Sequence, residues 1–79
     1  MARYRVLIPY TEPTFSPRLG RPADHVYMGE EIVDADGAEA AKGIALGKFH
    51  ARANASGVGW ARLPLESRIS VELLDSAGA

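Results

Sequence analysis

Apolar and polar residues alternate in two stretches of the chain and recur at helical spacing in a third. In residues 3–10, Tyr4, Val6, Ile8 and Tyr10 fall on one side and Arg3, Arg5, Leu7 and Pro9 on the other, which predicts a strand. Pro9 has no amide proton to give to a ladder, so that end is expected at a sheet edge or at the finish of the strand. Residues 25–34 are also extended, but the apolar positions change phase. Val26 and Met28 alternate, then Ile32 and Val33 follow out of step across Gly29-Glu30. Either a tight hairpin at Gly29-Glu30 or one strand with a bulge there accounts for the shift, and the hairpin-like kink is the preferred expectation.

The stretch from Asp34 to Asn54 carries the one long helix. Its start is expected near Gly37, with Asp36 capping the first free amides and Glu39 reaching back three residues on. Lys48, His50 and Arg52 near its end suit the helix dipole. Ala38, Ala41, Ala45, Phe49 and Ala53 form a stripe, flanked by Ile44 and Leu46, that should lie on a sheet with Phe49 as its main anchor. The opposite side gathers Glu39, Gly43, Gly47, His50 and Asn54. Each interior glycine costs about 1 kcal/mol relative to alanine. Gly43 and Gly47 therefore read either as drift in a glycine- and alanine-rich chain or as a smooth groove for a second copy or another partner.

Residues 11–24 form a long connection stiffened by Pro13, Pro17 and Pro22 and turned at Gly20. A connection of this length is either a plain surface loop or a binding loop. Phe15 and Leu19 are expected to pin it to the body, with Arg18 and Arg21 projecting. After the helix, Asn54-Ala-Ser-Gly57 is a stop signal with a left-handed residue. A strand over residues 58–63 carries Trp60, residues 64–67 turn the chain, and residues 68–74 form a last strand with Ile69, Val71 and Leu73 facing the core. Residues 76–79 read as a frayed tail. The sum is an α+β domain spanning residues 1–79: a single antiparallel sheet of about three to five strands with one α-helix packed on one face, in the order β-β-α-β-β and closed by a hairpin.

Charge adds an asymmetry that the net value of −1 conceals. Residues 1–23 hold Arg3, Arg5, Arg18 and Arg21 against Glu12, net +3. Residues 24–39 hold Asp24, Glu30, Glu31, Asp34, Asp36 and Glu39 with no lysine or arginine, net −6. The remainder is net +2. Such an acidic band is either compensated internally or offered to a basic partner.

Length and composition narrow the rest. A chain of 79 residues is one small domain without room for a deep cleft of usual size. There is no cysteine, so no disulfide and no thiolate metal site, which fits a reducing cytoplasm. No signal-peptide pattern and no membrane-length apolar run occur. His25 and His50 do not make a metal-ligand spacing, and no serine sits in a nucleophile context. Ser56-Gly-Val-Gly59 lacks the lysine of a phosphate loop and follows a helix instead of opening one. No catalytic, metal or cofactor site is therefore expected. A basic sheet surface is the remaining chemistry: Arg3, Arg5, Arg18 and Arg21, with Arg62, Arg68, Tyr4, Tyr10 and Trp60, would give cations and stacking rings for nucleic acid.

In build the chain resembles small phage- or prophage-encoded proteins that block host defence complexes, in particular anti-CRISPR proteins. The resemblance rests on its 79 residues, its simple strand-and-helix body, the absence of a catalytic signature, and the carboxylates Asp24, Glu30, Glu31, Asp34, Asp36 and Glu39. It implies a cytoplasmic, non-catalytic inhibitor in the host cell. Such a protein would dock its acidic side on a host protein or protein–RNA complex with a basic surface and obstruct target DNA. The alternatives are a nucleic-acid-binding accessory protein using the arginines and a self-associating module using the Gly43/Gly47 groove.

Overall fold

The computed structural model describes residues 1–56 and 61–75. Strand β1 (Ala2–Thr11) leads through a 3-10 turn at Ser16–Leu19 to β2 (Val26–Ala35), helix α1 (Ala38–Ala55), a short β3 (Leu63–Pro64), a second 3-10 turn at Glu66–Arg68, and β4 (Ser70–Asp75). The fold is the expected one: a single antiparallel sheet of four strands with one helix on one face. The expected left-handed residue at Gly57, most of the Trp60 strand and the tail over 76–79 lie outside the described residues.

Strand β1 is central. It pairs with β2 from Ala2↔Ala35 to Thr11↔Val26, and on its other edge with β4 over Arg3–Leu7 and with β3 over Tyr10–Thr11. Pro9 is thus buried inside the middle strand, not placed at an edge or an end. The reason lies in its phase. The Pro9 carbonyl accepts the Leu65 amide at 2.8 Å, so its nitrogen also faces the β3/β4 side. There it meets the gap between the end of β4 pairing at Leu7 and the start of β3 pairing at Tyr10, where no ladder bond is lost.

Two expected turns are absent. Strand β2 runs ten residues without a hairpin or a bulge at Gly29-Glu30, since every residue keeps register with β1. The apolar residues change phase because they serve two faces. Tyr27, Gly29, Val33 and Ala35 point to the helix side, while Val26, Met28 and Ile32 point away. Nor do residues 64–67 close a hairpin. The chain bows out through the Glu66–Arg68 turn and returns to the same edge of β1, so β3 and β4 are two segments of one interrupted strand. A register shift between Arg3 and Tyr4 sets Leu74 between the partners Leu73 and Asp75.

Directly opposed residues share a face, and the covered face holds the core. Val6, Ile8, Val33 and Ala35 from the sheet meet Ala41, Ala45 and Phe49 from α1, with Tyr4, Tyr10, Leu46, Ile69 and Val71 packed around them. Leu73 shares this face but stays exposed. Gly29 makes room for the anchor: a Cβ there would stand 3.3 Å from the Ile8 carbonyl oxygen and 3.7 Å from the Phe49 ring. Tyr10 stacks on Tyr27 with ring centroids 5.6 Å apart and touches Phe49 at 5.2 Å. Helix α1 begins on Gly37, whose extended backbone offers no side-chain cap, so the Asp36–Glu39 capping box is not formed. The first-turn amides keep only the backbone arrangement and the favourable charge of Glu39.

A Cβ at Gly43 or Gly47 would meet nothing within 4 Å. Gly43→Ala and Gly47→Ala should each raise stability by about 0.5–1 kcal/mol, a gain of several degrees in Tm for a domain this size. Gly29→Val should lower it. Thermal unfolding checks both, and a loss of stability in the two helix variants would mean that α1 is packed on its outer side as well.

Candidate functional site

The acidic band divides between the two faces of β2. Glu31 opposes Val6 on the covered face and is only 6% exposed. It is paired with Arg52 of α1 at 3.2 Å. A buried carboxylate of this kind needs its partner more than a surface one does, because taking the charge out of water costs several kcal/mol unless it is compensated. Its place is structural: it ties the last turns of α1 to the middle of β2. Glu30 and Asp34 lie on the uncovered face, where Asp34 meets Arg3 at 3.3 Å and Glu30 meets Arg5 at 3.2 Å. Arg5 also reaches Glu72 of β4 at 3.3 Å, so a charged row crosses the sheet from β2 through β1 to β4.

Asp24, Asp36 and Glu39 are exposed and make no ion pair among the described residues. Asp24 precedes β2 and Asp36 follows it, at opposite ends of a strand roughly 30 Å long. Glu39 sits near Asp36 in the first turn of α1. The six carboxylates therefore do not form one plate. Glu30, Glu31 and Asp34 lie in β2, with Glu31 withdrawn to the core and Glu30 and Asp34 beside arginines, while Asp24 and Asp36 flank the strand and Glu39 is in the first turn of α1.

The arginines are dispersed in the same way. Arg3 and Arg5 share the uncovered face with their carboxylate partners, whereas Tyr4 and Tyr10 point to the helix side. The expected platform of cations and rings is not assembled on one surface by these residues, and Trp60 lies outside the described residues. Arg18 is exposed on the first 3-10 turn. Arg21 donates to the Tyr27 hydroxyl at 3.2 Å and lies over its ring, 5.6 Å from the centroid. Arg62 donates to Glu12, itself 5% exposed, at 3.3 Å. These contacts, with Ser16 3.0 Å from the Tyr27 hydroxyl, hold the long connection against the body. Phe15 is half-buried as expected, but Leu19 is exposed and does not pin the loop.

The uncovered face has an apolar part that the acid pattern did not announce. Val26, Met28 and Ile32 are 41%, 60% and 43% exposed, in line along β2, and Leu63 of β3 is exposed beyond Thr11. Their hydrophobic character was legible; which face they take follows only from their register with β1. At the end of this face an open depression of about 370 Å³ is lined by Thr11, Asp24, Val26, Leu65, Ser67 and Arg68. Gly43 and Gly47 are exposed on the far side of α1, away from all of this.

No grouping of three or more His, Asp or Glu side chains able to hold a metal occurs among the described residues. His25 packs edge-on to Tyr27 and His50 edge-on to Phe49. No helix is long and apolar enough to cross a membrane. No family model, no curated protein and no solved structure matches the chain.

Burial raises the Tyr10 hydroxyl above its ordinary pKa of about 10, reinforced by the nearby Glu12 charge and opposed by Arg62. A proton held more tightly in the folded state stabilises the fold below pH 10, and that contribution is lost as pH rises through the raised value. Stability should therefore fall with pH above about 10, and Tyr10→Phe should flatten the fall. Denaturant unfolding between pH 8 and about 11 checks it, and an equal alkaline slope in the variant would contradict it.

Proposed function

We propose that this protein is a non-catalytic protein-binding module that meets its partner through the sheet face opposite α1 and the acidic length of β2. The observation that carries this reading is the row Val26, Met28, Glu30, Ile32 and Asp34. Exposed apolar side chains alternate there with carboxylates on a strand that has no cation of its own. Apolar area supplies binding free energy, while the flanking charge selects a partner and speeds its approach.

In its narrower form the reading makes the protein an inhibitor of the anti-CRISPR kind, acting in the host cytoplasm. Its partner would be a host protein or protein–RNA complex whose basic surface otherwise receives DNA. Support comes from Asp24 and Asp36, flanking β2 at its two ends, which are free of arginine partners among the described residues. Glu30 and Asp34 add to it, because exposed ion pairs such as theirs are worth only about 0–1 kcal/mol and exchange readily for a better partner. Glu31 is left out of the binding set because its carboxylate is spent on Arg52.

The test is the double variant Glu30→Lys/Asp34→Lys, with Glu31 untouched and a folded circular dichroism spectrum required of the variant, since the new lysines face Arg5 and Arg3. Wild-type protein should bind an RNA-guided DNA-targeting complex and compete with its target DNA, and the variant should bind at least about tenfold more weakly, a loss of about 1.4 kcal/mol. Equal binding by both proteins would remove this surface from the account.

A further inference from the structure

Strand β2 is an open edge of the sheet. It pairs with β1 along its whole length and with no other strand among the described residues. In an antiparallel pair, opposed residues alternate between those that exchange backbone hydrogen bonds and those that turn them outward. Pro9 sets the phase, since its carbonyl bonds Leu65 on the far side of β1. Its partner Met28 therefore turns its amide and carbonyl away from β1, and the two-residue period extends this to Val26, Glu30, Ile32 and Asp34. These residues present both their backbone groups at the open edge and their side chains on the face opposite α1. Natural edges of this length are ordinarily blunted by a proline, a bulge or a lysine. The ten residues of β2 hold none of the three, and the one inward-pointing charge, Glu31, is compensated by Arg52 under the sheet and leaves the edge backbone uncovered.

The geometry points to a strand-docking site: the free edge of β2 takes an extended segment of a protein partner, paired antiparallel as an added strand. This deepens the binding reading above and rests on it. On the face opposite α1, the incoming strand would place apolar side chains beside Val26, Met28 and Ile32. It would place basic ones beside Glu30 and Asp34, where opposite charges on paired strands are favourable. A second copy of the chain is the wrong occupant. Strand β2 carries Glu30, Glu31 and Asp34 with no lysine, arginine or histidine, so its two longest antiparallel self-pairings set Glu30 or Glu31 opposite its own copy and offer no cation to any of the three.

A fluorescent peptide Lys-Thr-Val-Thr-Lys-Thr-Val-Thr-Val has this pattern on one face, and the same peptide with glutamate for lysine is its control. The basic peptide should bind, with amide shifts centred on Met28, Glu30 and Ile32, and should weaken as salt rises. Met28→Pro and Ile32→Pro remove amides directed at the open edge and leave those bonded to β1, so both variants should keep the folded circular dichroism spectrum; Met28→Ala and Ile32→Ala, which remove the same side chains and keep the amides, are their controls and should bind more tightly than the proline variants. Each proline variant should bind the peptide at least about tenfold more weakly. Should one of them fail to fold, the other carries the comparison. Equal binding of the acidic peptide, or full binding by a folded proline variant, would overturn the edge site. Concentration-dependent dimerisation that the proline variants abolish would overturn it in favour of self-pairing. Loss of binding to the larger partner in Glu30→Lys/Asp34→Lys but not in the proline variants would overturn the edge while leaving the face reading intact.

Discussion

Strand β1 hydrogen-bonds along both of its edges, with its even-numbered residues turned to β2 and its odd-numbered residues to β3 and β4. The same period of two sends the even side chains under α1 and the odd ones to the uncovered face. Everything else takes its place from this alternation. The core exists because Tyr4, Val6, Ile8 and Tyr10 all fall on one side, where Phe49 and the small residues Ala41 and Ala45 can close on them. Pro9 is tolerated in the middle strand because its missing donor falls in the break between β3 and β4. The open edge of β2 is the counterpart of the same rule, since its outward residues must leave their backbone groups to water or to a partner.

Charge follows the same division. Along the chain the acids and bases are segregated, but folding brings β2 beside β1 antiparallel and sets Asp34 against Arg3 and Glu30 near Arg5. Arg52 then covers Glu31 from the helix. Sequence segregation thus becomes pairing: all three carboxylates of β2 meet an arginine, and the acids without an ion pair among the described residues, Asp24, Asp36 and Glu39, lie beyond its ends.

Much of the fold was legible. The strand of residues 3–10, the helix with its Ala41, Ala45 and Phe49 stripe, and the order of the elements all follow from spacing and were found in place. The kink expected at Gly29-Glu30 came from the phase change between Val26/Met28 and Ile32/Val33, which requires a break only if all four share one face. In a two-layer protein of this size the sheet has one uncovered face, and apolar residues there keep strand phase while breaking the hydrophobic pattern. Glu31 misled in the opposite sense, as a carboxylate on the covered side whose partner lies in the helix. The expected Asp36–Glu39 capping box does not form because the helix caps on Gly37, one residue later, which has no side chain to cap it.

Amide hydrogen exchange along β2 reads the central alternation directly. If β1 pairs as described and the far edge is open, the amides of Tyr27, Gly29, Glu31 and Val33 exchange slowly, and those of Met28, Glu30, Ile32 and Asp34 exchange quickly. Uniform protection along the strand, or a break in protection at Gly29-Glu30, would contradict it.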